Sequence, residues 1–376
     1  MEMIKMYGKN NKISNLQVAF LMGHTIIGVG ILSLPSTLAE VLGTSGWVAV
    51  VIAGAIAIIP VTMISKLMAM YEGKNIFEIS SHIIGRPLTY VALTLVIIDA
   101  LGQGAFVTRI FGEVIKMFLL FSTPLEVILL TMLLTVVYTV RSEVEGVARF
   151  SMIVIPFIVI PILIMSTVLI PDLDFTNLLP IFKVNPVQIF NSIPSIFFSF
   201  GGIELLLIYM YYSKNPKSAL KYNIGVVIAV TVLYLFSFFI SLARFGEKGL
   251  AAQLWPLLSL SKAIQFPSAF IENVEGIIMA IWVIIAFTTL MSTMFSMTVL
   301  LGKMCKVEES KYFTLPLLPL IYFLSLIPGN VVLIYDFIQV FTYIFGTFAL
   351  LLYPTVLYTL AVLKRKGEAK KNENTV

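Results

Sequence analysis

Ten long apolar runs follow one another along this chain, and only a lipid solvent suits them. A helix needs roughly 20 apolar residues to cross about 30 Å of hydrocarbon. The runs lie near 14–39, 46–71, 88–120, 124–140, 144–170, 187–212, 222–244, 270–301, 313–328 and 331–363. The third, eighth and tenth are long enough to tilt or protrude. Of the 376 residues, 59% are hydrophobic and 12% charged. Soluble domains run at roughly 45–50% apolar and about 25% charged, and too few polar residues remain here to coat a soluble fold. The expected fold class is all-α transmembrane, in a single integral membrane domain over 1–376.

Ten spans put both termini on one side. All but six of the 25 Lys and Arg then fall in the segments on that side, the exceptions being Arg109, Lys116, Lys183, Arg244, Lys248 and Lys262. The positive-inside rule makes it the cytoplasmic side. The basic residues are scattered in short groups between apolar runs. That distribution suits cytoplasmic loops and not a nucleic-acid surface. The tail Lys364–Lys371 reads as a solvated, orientation-setting charge run.

Little catalytic equipment is present. The chain has one cysteine, Cys305, and two histidines, His24 and His82. No intrachain disulfide can form, and the common zinc spacings are absent. No metal, no cofactor and no enzymatic activity are expected. The first apolar run is polar-punctured and lacks a small-residue cleavage site, so it reads as a span that stays.

Two spans carry glycine breaks in matching places. Span 1 reads G-H-T-I-I-G-V-G-I-L-S-L-P from Gly23 to Pro35, and span 6 reads F-S-F-G-G-I-E from Phe198 to Glu204. Each Gly costs a helix interior about 1 kcal/mol relative to Ala. Irregular backbone at membrane depth is tolerated where it lines a cavity or is buried in protein. Paired breaks in two halves point to a transporter-type site near the midplane. The breaks fall in the first span of each five, so the second half is inverted: repeat one about 14–170, repeat two about 187–363, and a cytoplasmic tail, 364–376. The competing reading is that these glycines are helix-packing contacts.

The run I-G-V-G-I-L-S-L-P resembles the first span of the B subunits of spore germinant receptors. These are endospore permeases of the amino acid/polyamine/organocation transporter superfamily. The polar start K-I-S-N-L-Q, Lys12 to Gln17, the length, the ten spans and the basic tail are similar too. The resemblance implies a LeuT-like 5+5 inverted repeat with broken helices 1 and 6. It implies nutrient sensing, for instance of amino acids, in the spore inner membrane. It also implies assembly with an A-type membrane subunit and a C-type lipoprotein.

Breaking a helix frees backbone N–H and C=O groups, and half-helix ends carry partial charge. An amino acid zwitterion suits such a place. Its carboxylate can sit near Gly30, Ile31 and Leu32. Its ammonium can meet carbonyls of Ile27, Gly28 or the Phe198–Gly201 run, which includes Phe200, while Ser199 adds a hydroxyl. Gly202 completes the break, and Glu204 follows it. That carboxylate can hold a ligand ammonium, a proton or a counter-ion, or be a structural group held by neighbouring N–H groups. In span 3, Asp99, Gln103, Arg109, Glu113 and Lys116 share an arc of about 140°, which must face protein or water. Arg109, Glu113 and Lys116 read as an ion-pair ladder, with Lys116 snorkelling outward. Asp99 and Gln103, one turn apart nearer mid-membrane, read as ligand-facing or structural. Thr288 and Thr289 in span 8 can line the pocket or bond their own backbone. His24 reads first as a hydrogen-bonded packing residue, with proton coupling as the second possibility. Segment 245–269, with Trp255, reads as the longest outer loop, either a lid or an interfacial segment.

Two functions share this fold: a germinant-sensing subunit, and a proton- or sodium-coupled amino acid permease. Fold alone does not separate them.

Overall fold

The computed structural model describes residues 11–181, 186–262 and 274–373, and these residues form helices joined by short turns. Helix α1 (Asn15–Leu42) starts at a capping box: the Ser14 hydroxyl accepts from the Gln17 backbone N–H, and the Gln17 side chain accepts from the Ser14 N–H. Such a box satisfies two of the donors that a helix start leaves open. A tight turn at Gly43, with φ at +58°, leads to α2 (Gly46–Met70). A short helix that the apolar pattern does not mark, α3 (Ile76–Ile84), is capped by Asn75 and Glu78 in the same way. Next come α4 (Arg86–Phe118), α5 (Leu125–Val140) and α6 (Val144–Leu169).

Span 6 is built from pieces. Helix α7 (Pro186–Phe197) passes into a 3-10 turn at Phe198–Phe200, then the Gly201–Gly202 turn, then a second 3-10 turn at Ile203–Leu205. One turn of helix, α8 (Leu206–Tyr209), and a 3-10 turn at Met210–Tyr212 complete it. Beyond lie α9 (Leu220–Ala251), α10 (Pro256–Lys262), α11 (Val274–Cys305), α12 (Thr314–Leu326) and α13 (Val331–Phe341). The last span continues through two π-helical stretches, Thr342–Gly346 and Phe348–Leu352, into α14 (Tyr353–Glu373).

Five helices among the described residues are long and apolar enough to cross a membrane, and Leu125–Val140, Ile203–Tyr212 and Ser310–Leu326 are shorter apolar stretches. Outward-facing side chains such as Val91, Ile153, Phe190, Phe323 and Val340 are largely exposed and apolar, as a lipid-facing surface requires. Helix α1 runs through the middle, packed on α9, α11, α6 and α2, and a single large apolar core surrounds it.

The structure departs from the sequence reading in two places. The first span is one helix from Asn15 to Leu42, with no interruption at Gly28–Gly30 and with Pro35 inside it. The expected outer loop 245–269 is largely helical where it is described. Helix α9 continues to Ala251 through a bend at Gly246 (φ +67°), and α10 follows; residues 263–269 lie outside the described residues. Trp255 is not an interfacial anchor. It is 2% exposed, and its indole N–H donates to the Tyr335 hydroxyl at 2.9 Å.

Candidate functional site

The break in span 6 is fixed by one backbone angle. Gly202 stands at φ +110°, a conformation that L side chains rarely adopt. It also lies against α1: a Cβ there would be 2.7 Å from the Thr25 Cβ and 3.2 Å from the Thr25 carbonyl carbon. The Gly202 N–H turns back onto the Glu204 carboxylate, 3.1 and 2.9 Å from its two oxygens.

Glu204 is fully buried and meets span 3 through Gln103. The Gln103 amide nitrogen donates to Glu204 Oε1 at 3.1 Å and to Asp99 Oδ2 at 2.8 Å. Asp99 is 1% exposed, and Gln103 is half-buried. The i,i+4 spacing on α4 places Asp99 and Gln103 one above the other. The turn at Gly202 then swings Glu204 against them. Three predicted residues therefore converge, from elements about a hundred positions apart in sequence.

The glycines of α1 form a second meeting point. A Cβ on Gly28 would stand 2.7 Å from the Thr289 hydroxyl of α11, and one on Gly30 would stand 2.7 Å from the Tyr234 hydroxyl of α9. Thr289 donates toward the His24 carbonyl at 3.1 Å. Tyr234 Oη lies 2.6 Å from the Ile26 carbonyl and 2.7 Å from the Ser199 carbonyl. In an α-helix those two α1 carbonyls are the acceptors for the N–H groups of residues 28 and 30. The glycines thus keep α1 helical while admitting hydroxyls that bond its backbone, and this is why the sequence signal of a break becomes a site of close approach. Phe200 packs edge-on against Tyr234, with ring centroids 5.6 Å apart.

The other expected residues separate. Ile27 and Gly201 are half-buried, Ser199 is buried beside Gly30, and Ile31 is buried in the core. Thr288 bonds the Ile285 carbonyl of its own helix, so its hydroxyl is already engaged. His24 is buried, with Nε2 2.6 Å from the Ser151 carbonyl, in keeping with a packing role. Tyr234 and Thr25 were not among the predicted site residues. Tyr234 lies in an apolar run with no local motif, and Thr25 lies within the Gly23–Pro35 run without being one of its glycines; only the packing of α9 and α1 on the span 6 break brings them in. A crevice of about 530 Å³ between α4, α5 and α11 is lined by apolar residues such as Phe111 and Phe287 and by threonines, and none of the predicted site residues lines it.

Nearer the C-terminal end of α4, Arg109 donates to Glu113 at 2.9 Å and to the Ser325 carbonyl at 3.2 Å. Lys116 is exposed. Arg109 is 5% exposed, so Arg109→Met is expected to strand Glu113 and cost about 3 kcal/mol. Thermal unfolding of the purified chain in detergent checks this; an unchanged Tm contradicts it.

The class of protein follows from the architecture. The chain shares its fold with MhsT in complex with L-phenylalanine, at a TM-score of 0.69 and 15% identity, over 90% of this chain and 88% of that one. A Na+-coupled sialic acid symporter matches at a TM-score of 0.61 and 13% identity, over 94% of this chain and 79% of the other. This is a LeuT-like, all-helical membrane fold. Sequence places the chain within it: the profile of the family described as "Spore germination protein" matches residues 12–332, and the chain belongs to that family of spore permeases. Spore germination protein YndE of Bacillus subtilis (strain 168) is 26% identical over 96% of this chain and 100% of its own length. Spore germination protein GerQB of Bacillus cereus is 29% identical over 72% of this chain and 74% of its own.

Proposed function

We propose that this chain is a nutrient-sensing subunit of a germinant receptor, which binds a small molecule at mid-membrane depth and triggers spore germination. The observation that carries the reading is the buried polar junction of Gly202, Glu204, Gln103 and Asp99 at the span 6 break. Buried polar groups at membrane depth are costly and mark ligand or ion sites. Membership of the spore germination family supplies the physiological setting.

An amino acid is the ligand class that fits. In this reading the ligand meets the acidic pair, the backbone at Gly201 and Ile27 and the Ser199 side chain, and the site extends to Gly28, Gly30, Ile31, Phe200, Thr288 and Thr289. Binding biases a conformational equilibrium that partner chains read, and those partners are an A-type membrane subunit and a C-type lipoprotein. The chain resides in the spore inner membrane with both termini in the cytoplasm. It acts by binding and not by chemistry.

The test is germination of spores lacking this gene against a panel of amino acids, sugars and nucleosides. The expected result is loss of response to one nutrient class, restored by the wild-type gene. An unchanged response to every nutrient, in a strain without redundant paralogues, contradicts the proposal and turns attention to uptake by a coupled amino acid permease.

A further inference from the structure

The crevice between α4, α5 and α11 lies apart from the polar junction and has its own chemistry. It holds about 530 Å³, within the range of about 300–1,000 Å³ typical of small-ligand sites. Phe111 and Ile115 of α4, Val127 and Thr131 of α5, and Ile284 and Phe287 of α11 form its walls. The Thr131 hydroxyl donates to the Val127 and Ile128 carbonyls, both at 2.9 Å, and the Thr135 hydroxyl donates to the Thr131 carbonyl at 2.8 Å. Those donors are engaged within α5, so its threonines offer a zwitterionic nutrient no free N–H or O–H.

Two observations say what fills it. The first is the direction of its mouth. Val127 is 49% exposed, and Thr131 and Thr135 are exposed as well. Leu130 and Leu134 continue the same exposed apolar face of α5. The crevice therefore opens sideways, at a depth where the solvent is hydrocarbon. An acyl chain gains little there from the hydrophobic effect, since lipid tails are as apolar as the walls. It gains from dispersion contact with three helices at once. The second observation is charge at one end. Leu120 and Thr123 line that end. Lys116 follows Ile115 directly and is exposed, and the Lys262 ammonium stands 4.2 Å over the Phe118 ring. Both belong to the six basic residues that stand apart from the main basic segments. Arg109 and Arg244 of those six are paired with Glu113 and Asp172. Glu126 lies in the first turn of α5, so the rim is not a uniform positive field, and an anion is met by the two lysines directly.

We propose that this crevice binds one phospholipid, with an acyl chain between α4, α5 and α11 and the headgroup phosphate at Lys116 and Lys262. The proposal stands independently of the nutrient-sensing reading, because no crevice residue is assigned to the nutrient. The seated chain still packs against a helix that touches the candidate site. Phe287 directly precedes Thr288 and Thr289, and Thr289 bonds the His24 carbonyl of α1.

The test uses the full chain purified in a maltoside detergent, without any nutrient. It is irradiated with phosphatidylglycerol carrying a diazirine in one acyl chain, and the labelled residues are mapped by mass spectrometry. The expected result is saturable labelling of the crevice walls, displaced by unlabelled phosphatidylglycerol and not by diacylglycerol with the same chains. Lys116→Gln is expected to weaken the apparent affinity about five-fold. Thr131→Phe fills the crevice and is expected to remove the label there, and Val127→Trp does the same from the exposed rim, so that one folded variant suffices. Labelling no denser in the crevice than at the exposed Phe323 and Val340 overturns the proposal. So does full crevice labelling in a folded, filled variant. Equal displacement by diacylglycerol overturns the phosphate contact with the two lysines.

Discussion

Gly202→Ala is expected to lose about 3 kcal/mol of stability. Two effects add. The backbone at φ +110° costs an L side chain of order 1–3 kcal/mol. The added methyl would also stand 2.7 Å from the Thr25 Cβ, and overpacking of this kind costs typically 1–3 kcal/mol. Relief is not simple, because the contact includes the Thr25 backbone carbon at 3.2 Å. Any shift of Gly202 would also swing its N–H away from Glu204 and disturb the bond from Gln103 to the same carboxylate. The measurement is thermal unfolding of the variant in detergent, with its level in membranes as control. Wild-type stability would mean that span 6 does not turn at Gly202 as described.

Gly30→Leu is expected to abolish the response to nutrient and to lower stability by about 2 kcal/mol or more. The first atom of the new side chain would already stand 2.7 Å from Tyr234 Oη and 3.1 Å from the Ser199 carbonyl oxygen. It would therefore push out the hydroxyl that joins α1 to the span 6 break. Gly30→Ala offers a sharper test, because the closest atom is the tyrosine oxygen itself. Combining Gly30→Ala with Tyr234→Phe removes that oxygen and is expected to recover part of the stability lost in Gly30→Ala alone. Recovery is limited by Ser199 Cβ, 3.1 Å from the same point. If the double variant is no better than the sum of the single ones, the contact through Tyr234 is not what constrains Gly30. A full nutrient response from Gly30→Leu at normal protein levels would remove α1 from the site.

Both glycines were visible in the sequence, but they do different work. A Gly-x-Gly run at mid-span reads alike whether the helix opens or a neighbour approaches closely. At Gly201–Gly202 the neighbouring pieces are short 3-10 turns, and the chain breaks. At Gly28 and Gly30 the deciding groups are the hydroxyls of Thr289 and Tyr234, about two hundred residues or more further along, and no local pattern reports them. The i,i+4 pair of Asp99 and Gln103 was legible from helical period, and so was the Arg109–Glu113 pair. The link from Gln103 to Glu204 was not, because it depends on how span 6 turns after Gly202. Trp255 illustrates the same limit. An aromatic residue beside proline in an outer segment suggests an interfacial anchor. Its partner Tyr335, in a later span, draws it into the interior. Long apolar runs report that a span exists, whereas the site depends on which spans touch.

The most direct test of the central claim is equilibrium binding to the purified full chain. The probe is the radiolabelled nutrient to which spores lacking this gene fail to respond. The account predicts saturable binding, competed by unlabelled nutrient and lost in Gly30→Leu. Absence of saturable binding to folded wild-type protein would contradict it, and would assign nutrient recognition to another component of the germination machinery.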